Sequence, residues 1–211
     1  MVNEFDNLIF RFMGKEVNNL FFTSDSHFQH SNIIQHCGRP FKSIEEHDAA
    51  LVENWNKKIP SNGIVFHLGD VAMSFDPARL KTILDSLHGK IYLIIGNHDI
   101  SNLDFLKYRF EGMFWQLCLN IGQYHVSLNH YPFLCYAGAW KEKPKSIQLF
   151  GHVHSGPYNV TGVDLPRLKY LFPWQYDVGV DGNNFTPISW NEILDIMNKK
   201  REKAEIEAFV R

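Results

Sequence analysis

Ile91-Tyr-Leu-Ile-Ile-Gly-Asn-His-Asp99 is the stretch on which the fold turns. Five uninterrupted apolar residues, rich in β-branched types, predict a strand covered on both faces. The run then stops abruptly at Gly96-Asn97-His98-Asp99, four residues suited to a turn and to chemistry. Two earlier runs behave alike. Leu20-Phe21-Phe22-Thr23 ends at Ser24-Asp25-Ser26-His27, and Ile64-Val65-Phe66-His67-Leu68 ends at Gly69-Asp70. Between them lie helical patterns. Ser43 and Glu46 form a capping box for a helix over 43–58, ended by Pro60-Ser-Asn-Gly63, and a helix over 77–87 starts on Pro77 and closes at Gly89. Strand and helix in alternation predict an α/β domain.

The remainder is richer in strands, expected at 114–119, 124–128, 147–150 and 176–180, with a hairpin turn at Gly122-Gln123. A last helix is expected over 190–208, capped by Ser189 and Glu192, its stripe formed by Ile193, Leu194 and Met197. Its charged end, Lys199 to Glu207, reads as a solvated face. The chain has 211 residues and 24.6 kDa, within reach of one domain over 1–211. Its hydrophobic share of 45% and charged share of 21% match folded proteins and exclude a disordered chain. A formal charge of −2 and a pI near 6.6 argue against a global basic field for nucleic acid. No apolar run reaches the ~18–20 residues of a membrane span, and Met1-Val-Asn-Glu-Phe-Asp6 lacks the basic and apolar regions of a signal peptide. The expectation is a soluble, unexported, cytoplasmic protein. Cys37, Cys118 and Cys135 have no C-x-x-C spacing and read as buried thiols in a reducing compartment. Histidine is the unusual count, eleven in all, and it is the commonest metal ligand.

The chemistry-bearing residues gather at the C-terminal ends of the expected strands: Asp25 and His27, Asp70, Asn97 and His98, His130, then His152 and His154. Open α/β sheets bind ligands there. Alternate residues along a strand point to one side, so Asp25-x-His27 and His152-x-His154 are each expected to present two side chains in one direction, able to grip a metal. Two carboxylates, one amide and four imidazoles beside His98 exceed the needs of one ion. They approach the supply for two divalent transition ions with a shared carboxylate, Mn, Fe, Zn or Ni rather than Mg or Ca.

In order, Asp25-Ser-His27, Gly69-Asp70, Gly96-Asn-His-Asp99, Asn129-His-Tyr-Pro132 and Gly151-His-Val-His154 resemble the signature of the calcineurin-like metallophosphoesterases. The subtype is similar to small bacterial and phage-encoded phosphoesterases. The resemblance implies a four-layer αββα sandwich, two mixed β-sheets flanked by helices, with a dinuclear centre between the sheet ends. It implies that Asp25, His27 and His154 hold one metal, Asn97, His130 and His152 the other, and that Asp70 bridges them. Two divalent ions, two carboxylates and a bridging hydroxide would leave the centre at roughly +1, attractive to phosphate. Such ions, ~3.5–4 Å apart, aim the hydroxide at phosphorus and neutralise the non-bridging oxygens, so no protein nucleophile is required. His98, beside Asn97, is the candidate general acid, with Asp99 orienting or charging it.

The sequence departs from many relatives at Val71-Ala72-Met73, where an acidic or basic residue often follows the Gly-Asp pair. His30 and Arg39 are candidate substrate-phosphate contacts. His36, His47, His67, His88 and His125 read as structural, and most aromatics of two loops, 131–145 and 155–175, as packing. The leading expectation is an enzyme hydrolysing small phosphate mono- or diesters, nucleotide-like among them. A catalytically silent scaffold is disfavoured by the intact His98. A nuclease on polymeric nucleic acid would need a basic track, and Lys141, Lys143 and Lys145 alternate with Glu142 and Pro144 as a solvated loop would.

Overall fold

Three largely apolar strands form the centre of the protein, in a computed structural model that describes residues 10–73, 76–141, 145–159 and 162–209, with side chains through residue 200. In chain order the described elements are β1 (Phe10–Phe12), β2 (Leu20–Thr23), α1 (Ser31–His36), α2 (Ile44–Lys58), β3 (Ile64–His67), α3 (Pro77–Ser86), β4 (Lys90–Ile94), α4 (Leu103–Leu106), β5 (Gly112–Phe114), β6 (Gln116–Ile121), β7 (Tyr124–Asn129), β8 (Ser146–Phe150), β9 (Gln175–Asp177), β10 (Ile188–Ser189) and α5 (Trp190–Phe209). They build two five-stranded mixed sheets, ordered β10-β2-β3-β4-β5 and β1-β6-β7-β8-β9. In the first, β2, β3, β4 and β5 are parallel and β10 is antiparallel to β2. In the second, β6 and β7 form the antiparallel hairpin and the other pairs are parallel.

The strand period divides the core in two. Leu20, Phe22, Phe66 and Ile94 face the second sheet and pack on Leu117, Leu119, Val126, Leu128, Ile147 and Leu149. Phe21, Val65, Ile91 and Leu93 face the other way, onto Leu51, Trp55, Leu80 and Leu84 of α2 and α3. Both helices carry strong N-caps: the Ser43 side chain accepts from the Glu46 N–H, and Asp76 accepts from Ala78 N–H, just ahead of Pro77. In α5 the capping box is reciprocal, Glu192 accepting from Ser189 N–H at 2.9 Å while its own N–H donates to the Ser189 hydroxyl. Trp190 of α5 meets rings from both sheets, Phe22 and Tyr124, so the helix closes one edge of the sandwich.

Several expectations change. The strand expected over 114–119 is two strands broken at Trp115, with β5 in the first sheet and β6 in the second. A hydrophobic pattern records burial, not which sheet is entered. The strand expected over 176–180 is β9 followed by a 3-10 turn, Val180–Gly182. Cys37 is buried, but Cys118 and Cys135 are exposed. The layered sandwich of two mixed sheets with helices is as expected, and the 131–133 loop packs on the second sheet. Buried Gln148 donates to Tyr131 O and accepts from Phe133 N–H, and Gln175 donates to Phe133 O, so two amides hold the loop backbone. Among the described residues, no helix is long and apolar enough to cross a membrane. The signal-peptide reading of residues 1–6, residues 142–144 of the lysine loop, and the charged side chains of 201–207 lie outside the described residues.

Candidate metal centre

The strand ends converge, but not by continued pleating. Asp25, His27, Asp70, His152 and His154 all have left-handed backbones, with φ of 57°, 50°, 57°, 70° and 49°. Such conformations cost of order 1–3 kcal/mol each for non-glycine residues and persist only where the surroundings enforce them. Here the loops brace one another. Asp25 N–H donates to Gly69 O at 2.9 Å and His27 N–H to Asp70 O at 3.0 Å, while His152 N–H donates to the Asp25 carboxylate at 2.9 Å. Gly69, at φ 97°, is compelled by contact: a Cβ there would lie 2.6 Å from Gly96 N and from His130 Nδ1.

Two donor sets result, Asp25 with His27 and His154, and Asp70 with His130 and His152, the donor atoms of each lying within 4.8 Å of one another. Asp70 lies between them, its Oδ2 3.5 Å from both His27 Nε2 and His130 Nε2. Asn97 Oδ1 is 3.0 Å from His130 Nε2. Hydrogen bonds fix two of the rings. His130 Nδ1 donates to Leu68 O at 2.7 Å, and His154 Nδ1 to Asp181 at 2.8 Å, which turns Nε2 of each toward the cup. His27 Nε2 is buried with no hydrogen-bond partner. An orphaned imidazole nitrogen facing carboxylates costs free energy unless something else occupies it. That atom and the mixed imidazole and carboxylate donors fit divalent transition ions. A further grouping, Cys37 with His154 and Asp181, uses the His154 nitrogen already committed to Asp181 and reads as support.

The charges follow from burial and pairing. Burial pushes the Asp25 carboxyl up to about 6. For Asp70 burial also raises, but hydrogen bonding and charge from His130 prevail and its pKa falls. Burial opposes protonation of His130, yet Asp70 and Asp25 hold it up at about 9. His154 is likewise held well above its usual value by Asp25 and Asp181 against the cost of burial. His27 is driven well below it by burial and by the neighbouring His154 and Arg39. The metal-free cup therefore stores protons on imidazoles that an ion would displace.

The remaining candidates divide. His98 stands at the rim, its side chain 34% exposed and its Nε2 3.9 Å from Asp70 Oδ2, while its backbone N–H donates to Asp70 Oδ1. Asp99 does not touch that ring. Its buried carboxylate accepts from Gly96, Asp70 and Val71 N–H at 2.8–2.9 Å, so it ties the β3 and β4 loops together instead of charging His98. His30 caps α1 half-buried, its Nδ1 3.2 Å from His27 Nδ1, and burial and His98 lower its pKa to about 4. Arg39 is no phosphate clamp. It is 3% exposed, and its nitrogens are committed to both Asp181 oxygens, Asp25 O, Ser26 O and His47. The sequence reading missed Asp181, although Val178-Gly-Val-Asp-Gly182 repeats the apolar-to-Gly/Asp pattern of Ile64–Asp70. It also missed Asp164, whose Oδ2 lies 3.9 Å from His152 Nε2.

An uncharacterized protein of Methanocaldococcus jannaschii, MJ1445, is 30% identical over 191 residues, 89% of this chain and 93% of that protein. The chain belongs to the same family as this archaeal protein. The gene 66 protein of Mycobacterium phage L5 is 24% identical over 89% of this chain and 98% of its own. No family model matches. Among solved structures, a protein of unknown function from Aquifex aeolicus, AQ665, shares the fold with a TM-score of 0.64 at 24% identity, over 84% of this chain and 98% of that one.

Proposed function

We propose that the chain is a metal-dependent phosphoester hydrolase of the calcineurin-like metallophosphoesterase type. The observation that carries this reading is the pair of donor sets joined through Asp70, with the unpartnered His27 Nε2 aimed into them. The order of the motifs and the two-sheet sandwich support it. Asp25, His27 and His154 would hold one divalent ion, Asn97, His130 and His152 a second, and Asp70 would serve both. When bound, such ions supply Lewis acidity, lowering the pKa of water and drawing charge from the phosphoryl oxygens.

The protein's own groups do the rest. Asp181 keeps His154 on the tautomer that offers Nε2, and Leu68 O does so for His130. Asp99 holds the β3 and β4 loops at the spacing that sets Asp70 against Asn97. His98, outside both donor sets and open to solvent on one side, delivers a proton to the leaving oxygen. His30, a neutral imidazole at the same rim, orients the phosphoryl group by hydrogen bonding. The unpaired cysteines suit a reducing, cytoplasmic setting.

The test is hydrolysis of bis-p-nitrophenyl phosphate and p-nitrophenyl phosphate by stripped protein reloaded with Mn, Ni, Zn or Mg. Metal-dependent turnover of either ester is expected, and His98→Ala should lower kcat by ~10²–10⁴-fold with metal content unchanged by elemental analysis. No turnover by protein shown to hold ions would overturn the reading. Full activity in His98→Ala would overturn the acid role.

A further inference from the structure

Beside the donor sets, on the His152 side, lies a cavity of about 490 Å³, within the ~300–1,000 Å³ of small-molecule sites. His152 is the one donor residue among its described walls, and His98 is absent from them. Tyr131 forms the seam. Its ring packs edge-on to His152 at 4.6 Å, and its hydroxyl donates to Asn97 Oδ1 at 3.3 Å. Tyr170 and Leu134, also among its walls, stand 66% and 76% exposed, large apolar surfaces left open beside a polar centre. The charged wall carries both signs, Arg167 donating to Asp164 Oδ1 at 2.6 Å. Among the described walls Arg167 is the one cation, so a second phosphate would compete with Asp164 for it.

His98 lies toward the other rim, its ring 5.3 Å from His27 and 6.3 Å from His30. A phosphorus held at the donors with its leaving oxygen toward His98 turns its remaining substituent toward the cavity. We infer that this cavity receives the ester arm that stays on phosphorus, that the arm is a neutral flat ring of nucleoside size, and that the substrate is therefore a phosphodiester. This inference rests on the hydrolase reading above. In the balanced step, water oxygen bonds to phosphorus and the bond to the leaving oxygen breaks. The leaving oxygen takes the His98 proton, the water proton restores it, and the monoester bearing the cavity arm departs.

Three esters with one leaving group isolate the arm: the p-nitrophenyl ester of thymidine 5′-monophosphate, methyl p-nitrophenyl phosphate and p-nitrophenyl phosphate. Stacking of a base on an aromatic side chain corresponds to about a 5- to 150-fold effect, so kcat/KM should favour the thymidine arm over the methyl arm by that range, through KM. Tyr170→Ala and Leu134→Ala should bring the ratio toward one, while Tyr108→Ala, exposed beside α3, should leave it. A wild-type ratio near one, a ratio unmoved by both cavity variants, or a monoester that outruns the thymidine diester overturns the assignment. Calorimetry of thymidine 5′-monophosphate against methyl phosphate on the metal-loaded protein gives a second readout. Tighter thymidine binding lost in the cavity variants, without cleavage of any ester, upholds the cavity and removes the hydrolase. Cleavage with equal binding and equal kcat/KM removes the cavity and upholds the hydrolase. Neither cleavage nor discrimination removes both.

Discussion

The loops after β2, β3 and β4 and the long loops at 131–141 and 162–172 both border the donor cup, yet they are built on opposite principles. The described residues of the first are mostly buried and braced by hydrogen bonds from one loop to the next, with Asp99 accepting three backbone N–H groups, and Arg39, just past α1, commits every position of its guanidinium, two of them to Asp25 O and Ser26 O. The second rest on two glutamines and leave Leu134, Trp140 and Tyr170 in solvent. Strained left-handed donors need rigid surroundings, and a cavity that selects an organic group needs exposed surface. On the hydrolase reading proposed above, chemistry would fall to the buried strand-end loops and selection to the exposed ones.

The comparison breaks most decisively at Asp70. Asp70→Asn removes the charge shared by both donor sets and should lower turnover by roughly 10³-fold or more, the several kcal/mol of a metal-stabilised transition state, with reduced metal content by elemental analysis. Next is Arg39→Ala, which strands the Asp181 carboxylate in the interior. It should destabilise metal-free protein by about 3–5 kcal/mol in urea titration, and near-neutral stability would show that the short loops are less interdependent than their hydrogen bonds imply.

A smaller effect sharpens the electrostatics. His130, held near 9 without metal, is largely protonated at neutral pH, and an ion must displace that proton. Metal affinity should therefore rise with pH up to about 9 and fall below it, by ~tenfold per unit for each proton released. Calorimetry in two buffers of different ionisation enthalpy measures the release, and none at pH 7 would contradict the protonated cup. The smallest effect is expected in the long loops: Trp140→Ser, 73% exposed, should change the melting temperature by less than the equivalent of about 0.5 kcal/mol.

Much of the cup is legible in the sequence because each donor sits where an apolar run stops, and the period of the run marks that point. The same logic exposes β2, β3, β4 and the capped helices α2, α3 and α5. It fails at Trp115, where one apolar stretch crosses from sheet to sheet, and at Arg39, a cation whose partner Asp181 lies 142 positions along the chain. It fails also at Asp99, since nothing local separates a carboxylate that charges a histidine from one that accepts three backbone N–H groups.

The sequence alone determined where β2, β3 and β4 give way to polar residues, the order of the donor motifs and the residue types able to hold ions, because these depend on local period and side-chain chemistry. Only the tertiary structure decided which carboxylates brace and which face the cup, which histidine nitrogens remain free, and where a cavity opens beside them. Those outcomes depend on contacts between segments distant in the chain, and no local pattern encodes which distant group arrives.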